Sequence, residues 1–393
     1  MSPRILAWCG CLVLGACTMQ GGALSLEEQP RPRQSSGADA AAPAAPATDP
    51  VPTRAAADDH ATTVAAEDSD PSRAPLTEAE LAILYGSAED PVPEHRGGVT
   101  TSQENKHYLS SNEKALQAFF PTLDGIGGGY LGVGTDQGYL FIGWARSEIA
   151  WLVDYDPAVQ QIHELYRLFF LAADTPQQLV GLWSQSEQER AIALIDEAHD
   201  EDRARRLRYW YRSARGRIDA RLRKLVRGLA KAGVPSVFDD QDTYDHVRRM
   251  VEQRRIRVMR VNLLEEQGLA GIGEAARALG VPLRVLYLSN AEQYWKRYPK
   301  AFRERMAALP WADDAVLLRT ITAKAANDDY RYNVQPTANF VQWLAQPFVG
   351  NVHHIVHAGP PASATGVTVF RTEDDPQSSP VGRRWQRRQA EAG

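Results

Sequence analysis

Tyr130-Leu-Gly-Val-Gly-Thr-Asp-Gln137, followed by Ile149-Ala-Trp-Leu-Val-Asp154, decides the fold. Tyr130 to Val133 reads as a short strand after the flexible Gly127-Gly-Gly129. Gly134-Thr-Asp-Gln137 reads as a turn, and the pattern predicts a helix over 138–146. Ile149 to Val153 is a second apolar strand that stops at Asp154. Pro157 suits the first position of a helix, because its missing N–H would be unpaired there anyway, and that helix should run to Ala172. This succession is one βαβα unit.

A second unit lies downstream. Ile256-Arg-Val-Met-Arg-Val261 reads as a strand and 268–279 as a helix, with Gly280 just past its end and Pro282 beyond. Leu283-Arg-Val-Leu-Tyr-Leu288 is the next strand, and further strands are expected at 315–321 and 352–356. Strands that alternate with helices pair in parallel, because each crossover returns the chain to the same end of the sheet. The expected architecture is therefore α/β, a doubly wound and mostly parallel sheet, within 105–375.

Residues 187–255 read as a helical insertion. From Arg203 to Lys231 it carries 12 basic residues and one acid, Asp219, with Tyr209, Trp210 and Tyr211 interleaved. Such a face suits either an anionic envelope component or plain solvation with acidic partners from elsewhere in the chain. Nucleic acid is not an expected partner.

In doubly wound sheets, ligands sit beyond the carboxyl ends of the strands. Gly132, Gly134, Thr135, Asp136 and Gln137 follow the first strand, and Asp154 ends the second. Small residues let backbone N–H groups approach a ligand, and a carboxylate at the neighbouring strand end accepts from ribose hydroxyls. Ser289, Asn290, Glu292, Gln293 and Tyr294 lie beyond the 283–288 strand, at the same edge. Glu292 is a candidate general base, Tyr294 a stacking surface and Asn290 a positioning group. The same residues would also serve to make turns and cap helices. His353-His354-x-x-His357 falls in the expected 352–356 strand, which would separate His353 from His354, so no metal site is expected. No Gly-x-Ser-x-Gly, phosphate-loop or His-Glu-x-x-His motif is present.

Tyr130 to Gln137, with Trp151-Leu-Val-Asp-Tyr-Asp-Pro157, resembles the opening of class I S-adenosylmethionine-dependent methyltransferases. The chain more closely resembles an uncharacterised bacterial family of that Rossmann-like fold. Its members carry a similar LGVG-x-x-Q start, here Leu131 to Gln137, and a later YLSN-x-EQY segment, here Tyr287 to Tyr294. The likeness covers 125–180 and 255–322. It implies a cofactor crevice at Gly132, Gly134, Thr135, Asp136, Gln137, Asp154, Asn262 and Ser289, with S-adenosylmethionine as its possible occupant. Relatives tend to carry Asp where this chain has Asn262, which can bond an adenine amino group but cannot act as a carboxylate. The resemblance implies a fold, and no established reaction.

The N-terminus is of another kind. Residues 1–100 hold six Arg, no Lys and 14 acids, which leaves the rest of the chain slightly positive within an overall charge of −5. Arg4 precedes an apolar run from Ile5 to Leu14, too short to span a bilayer and suited to a signal peptide. Leu14-Gly-Ala-Cys17 resembles a bacterial lipobox, which implies cleavage after residue 16 and a lipidated Cys17. Cys9 and Cys11 would leave with the signal peptide, so the mature chain would have no disulfide and no Cys nucleophile. Thr18 in place of Asp implies outer-membrane sorting by the same resemblance. Residues 17–104 follow as a disordered Ala/Pro-rich tether, too poor in large apolar groups to offset its ordering entropy. Within it, Thr77-Glu-Ala-Glu80 before Leu81-Ala-Ile-Leu-Tyr85 is a capping-box helix signal. Residues 376–393 read as a disordered basic tail.

Two functions fit these expectations. One is an envelope-anchored module binding a small ligand or polyanion. The alternative is a methyltransferase-type enzyme acting on a small acceptor. S-adenosylmethionine is made in the cytoplasm, so export favours the first.

Overall fold

The computed structural model describes residues 74–92, 106–265, 267–322, 329–363, 366–371 and 373–392. Cys17, the expected signal peptide and most of the tether lie outside them. The described elements begin with α1 (Glu78–Gly86), α2 (Phe120–Leu123), β1 (Gly129–Val133), α3 (Asp136–Ala145) and β2 (Ile149–Asp154). Five helices follow: α4 (Pro157–Ala172), α5 (Pro176–Gly181), α6 (Gln188–Ala198), α7 (Glu201–Lys231) and α8 (Gln241–Glu252). Next come β3 (Ile256–Arg260), α9 (Gln267–Ala278), β4 (Leu283–Ser289), α10 (Lys300–Ala308), β5 (Trp311–Thr322) and β6 (Tyr330–Pro336). The last are α11 (Thr337–Leu344), α12 (Val352–Val356), β7 (Val367–Val369) and α13 (Pro380–Ala392). None of the described helices is long and apolar enough to cross a membrane.

Among the described residues, the strands make one seven-stranded sheet in the order β3-β2-β1-β4-β5-β6-β7. β1 to β5 are mutually parallel, β6 is antiparallel to β5, and β7 is parallel to β6. The protein is thus α/β with a doubly wound, mostly parallel sheet, and the expected strand–helix order holds from β1 to β5. Alternate side chains of each strand enter opposite layers. Tyr130, Leu152 and Tyr287 join the core under α3, α4 and α8, while Leu131, Trp151 and Leu286 join the core under α9 and α10. The winding reverses between β1 and β4, which opens a crevice at their carboxyl ends.

The insertion forms α6, α7 and α8, as expected. α7 buries Ala204, Leu207, Tyr211, Ala214, Ile218, Leu222, Leu225 and Leu229, spaced three or four apart, so one stripe faces the core. Much of its charge is paired locally: Arg203 with Glu164, Arg208 with Asp196 and Glu201, and Arg223 with Asp219.

Five expectations need correction. The 352–356 strand is the short helix α12, because Asn351 caps it by accepting from the His353 N–H at 3.1 Å. A short apolar run cannot by itself distinguish the two states. His353 and His357 therefore lie one turn apart with rings stacked at 5.4 Å. Ser110-Ser-Asn-Glu113 has the pattern of a cap for a helix running to Phe120, yet the helix begins only at Leu116, as a 3-10 turn leading into α2, because Ser111 and Glu113 turn inward instead of capping. β6 escapes the hydrophobic pattern because its buried Asn333 and Gln335 are polar. The basic tail is not structureless over 380–392: α13 lays Trp385 against Phe348, with ring centres 5.8 Å apart.

The folded domain takes in α1, ahead of the expected start at residue 105. The capping box of α1 is formed, with the Thr77 N–H donating to Glu80 at 2.7 Å and the Glu80 N–H to Thr77 Oγ1 at 3.2 Å. This helix belongs to the domain. Leu84 is fully buried in the core beneath α9, and Arg257 donates to the Leu84 carbonyl at 2.6 Å. Tyr85 donates to the carbonyls of Arg254 and Ile256, so the segment also covers the exposed edge of β3.

Candidate functional site

The crevice at the switch point holds a cleft of about 230 Å³. It offers room for a compact ligand set among the strand ends. Its floor is made by strand ends: Val133 and Gly134 after β1, Asp154 of β2, Asn262 after β3, and Ser289 and Asn290 at β4. Its walls include Tyr108, Ser111, Glu113, Tyr155, Tyr294, Trp295 and Tyr330.

The β1 turn is held from beneath. Gly134 sits at φ +92°, a conformation other residues adopt only with strain, and an added Cβ would collide with the Gln137 amide. Gln137 in turn accepts from the Thr135 N–H at 3.2 Å. His163 of α4 reaches the Gly134 carbonyl with Nε2 at 2.8 Å, and its Nδ1 lies 3.0 Å from the Tyr139 hydroxyl. A carbonyl only accepts, so Nε2 carries the proton and Nδ1 accepts from Tyr139. Burial pushes the imidazole down to about 4, which keeps it neutral.

Asp154 faces the cleft from the end of β2. Burial pushes its carboxyl up to about 7, while the backbone N–H of Asp156 opposes the shift and the charge of Asp156 adds to it. The Asp156 N–H donates to Asp154 at 2.9 Å. Asp156 itself caps α4, accepting from Ala158 at 2.9 Å, and pairs with His107 at 2.8 Å. Asn262 is positioned from the N-terminal segment, because the buried Asp90 accepts from the N–H groups of Asn262 and Gly268 at 3.0 Å each.

At β4, Ser289 takes φ +48°, rare for a residue with a side chain. Its hydroxyl donates to Glu113 Oε1 at 2.8 Å, beside the hydroxyls of Tyr287 at 2.6 Å and Thr320 at 3.2 Å. Ser111 holds the other oxygen of Glu113. Glu113 is 2% exposed, and this fan of donors presents its carboxylate at the cleft wall.

Of the expected residues, Gly134, Thr135, Gln137, Asp154, Asn262, Ser289, Asn290 and Tyr294 line one cleft. Three do not. Gly132 lies within β1, where an added Cβ would strike the Tyr130 ring. Asp136 is buried, accepts from the Ser111 N–H at 2.6 Å and pairs with Arg221 of α7 at 3.2 Å. Glu292 turns away into the core, where it pairs with Arg319 at 2.9 Å and accepts from Tyr298 at 2.6 Å. Both partners of that pair are fully buried, so Glu292 is not placed to take a proton from a ligand in the cleft. Residues that sequence reading missed are Tyr108, Ser111, Glu113, Tyr155 and Tyr330. Only Tyr155, next to Asp154, had a signal in the strand pattern.

A family profile matches residues 108–371, about two-thirds of the chain and all of the cleft. The chain belongs to the family described as a domain of unknown function, DUF7790. No curated protein matches it. The DUF7790 match begins at Tyr108, so it leaves out α1 and Asp90, on which Asn262 depends. Among the described residues, no three His, Cys, Asp or Glu are grouped to hold a metal ion.

Proposed function

We propose that this chain is an envelope-anchored lipoprotein whose α/β domain binds a small nucleoside-type ligand in the switch-point cleft. The observation that carries the reading is the placement of Asp154 and Asn262 at adjacent strand ends, beside the Gly134 turn. A carboxylate there can accept from vicinal hydroxyls, and an amide can bond a base edge. Thermal denaturation of the purified chain with adenosine or S-adenosylmethionine tests it. A ligand at about 100 times its Kd adds roughly 2.7 kcal/mol, a shift of several degrees. No shift with either compound, in a well-folded chain, overturns the reading.

The anchor rests on Arg4, the Ile5–Leu14 run and Leu14-Gly-Ala-Cys17. Radiolabelled fatty acid should enter the chain and be lost in Cys17→Ser; export with an unlabelled Cys17 would overturn it. Thr18 favours the outer membrane. An anionic envelope component is the partner suggested by the outer side of α7, where Arg206, Arg212, Arg217 and Arg227 are exposed. Binding to anionic vesicles that survives replacement of all four would remove that partner.

One observation favours the second reading, a methyltransferase-type enzyme. Asn290 and Tyr294 stand in the same cleft as Asp154, where an acceptor would meet a cofactor. Such catalysis would be chiefly orientation, since Glu292 is paired elsewhere. Methyl transfer lost in Asp154→Ala would support it.

A further inference from the structure

We propose that the cleft selects ligands bearing a positive charge and rejects phosphorylated ones. The inference rests on the small-ligand reading and narrows its chemistry. Phosphate sites are built from Lys, Arg or free helix N-termini. Among the described residues, no Lys or Arg lines this cleft. Those that do line it include Glu113, Asp154 and Asp156, and no His. Two helices begin at this edge, and each start carries an Asp, although only that of α4 makes a cap bond. Asp136 opens α3, and Asp156 caps α4 by accepting from Ala158.

The charge on Glu113 is held by neutral donors, the hydroxyls of Tyr287, Ser289, Thr320 and Ser111. Arg221 approaches from behind Ser111 at 3.3 Å, but its Nε serves Asp136 at 3.2 Å. One guanidinium therefore stands among several carboxylates. Five aromatic residues, Tyr108, Tyr155, Tyr294, Trp295 and Tyr330, line the same cleft among aliphatic and neutral polar groups. Aromatic faces attract ammonium and sulfonium groups and do nothing for a phosphate. Carboxylates among aromatic rings in a small, partly desolvated cleft are complementary to a cation on a compact organic ligand.

Titration calorimetry on the purified full chain tests this with a matched series. The probes are 5′-amino-5′-deoxyadenosine, adenosine, adenosine 5′-monophosphate and tetramethylammonium. The amino compound is expected to bind about ten-fold tighter than adenosine, and the monophosphate about ten-fold weaker. Glu113→Gln and Tyr294→Ala should each shrink the preference for the amino compound to about two-fold or less. Tyr294 is 37% exposed, so that variant reads the site even where Glu113→Gln disturbs folding. Monophosphate binding as tight as that of the amino compound overturns the inference and leaves the nucleoside reading standing. Tetramethylammonium binding without any adenosine binding does the reverse. Binding by none of the four overturns both.

Discussion

His163 Nε2 stands 2.8 Å from the carbonyl oxygen of Gly134, so a neutral imidazole buried in α4 fixes the turn that opens the cleft. The unfolded chain takes up this proton near 6.5 and the folded chain only near 4. Between those values the unfolded state holds more protons, so stability falls as pH drops through the window. The shift corresponds to roughly 3 kcal/mol at its full extent. His163→Gln keeps an N–H donor for Gly134 but cannot titrate. Urea denaturation at pH 7 and pH 4.5 should show a smaller pH loss in the variant. An identical loss in both proteins would remove His163 from the account.

Asp154 carries a dependence of the opposite sign. Its folded carboxyl titrates near 7 against an ordinary 3.8, so the folded state alone keeps the proton between them. Stability from this group is complete below 3.8 and is lost as pH rises to 7. Asp154→Asn removes that loss. The variant should melt a few degrees above the parent at pH 8, with the difference vanishing near pH 4. It should also bind adenosine about ten-fold more weakly, since a charged hydrogen bond is worth about 1.5–3 kcal/mol. A carboxylate kept at a stability cost is what a binding site would require. Equal melting at pH 8 would count against the burial argument.

The strand ends of the site are legible in the sequence because they follow a period. Apolar runs end at Val133, Asp154, Val261 and Leu288, and parallel pairing brings those ends to one edge. Glu113 and Tyr108 have no such signal. They lie in irregular chain before α2, and contacts distant in sequence, to Tyr287, Ser289 and Thr320, join Ser111 in holding Glu113 inward. Glu292 shows the converse failure. A polar segment after β4 looks like a site, yet the buried guanidinium of Arg319, on the next strand, claims its carboxylate. Nothing local in Ala291-Glu-Gln-Tyr294 announces that partner.

The Glu292–Arg319 pair yields a separable prediction. Glu292→Ala leaves a buried guanidinium without its counter-charge, 4.7 Å from the Phe340 ring centre. Removing one partner of a buried pair costs about 3–5 kcal/mol. Tyr294→Ala, at a 37% exposed position, should cost little stability but weaken ligand binding. Denaturation midpoints and ligand titrations on both variants distinguish the two roles. A stable Glu292→Ala protein that has lost only ligand affinity would return Glu292 to the site.

Asp90 makes the N-terminal segment part of the cleft as well as part of the core. Its Oδ2 accepts from Asn262 and its Oδ1 from Gly268, while Leu84 fills the layer beneath α9. A chain that begins at residue 106 loses both supports and bares the edge of β3. Loss of Leu84 alone should cost about 2–5 kcal/mol, as for other large-to-small changes in cores. The truncated chain should therefore melt well below one beginning at residue 74, and it should aggregate through the uncovered strand. Asp90→Ala in the longer chain separates the two effects. It leaves Leu84 in place but frees the Asn262 turn, so ligand affinity should fall by more than the loss of stability explains. Equal affinity in Asp90→Ala and parent would mean that Asn262 needs no second anchor, and that α1 serves the core alone.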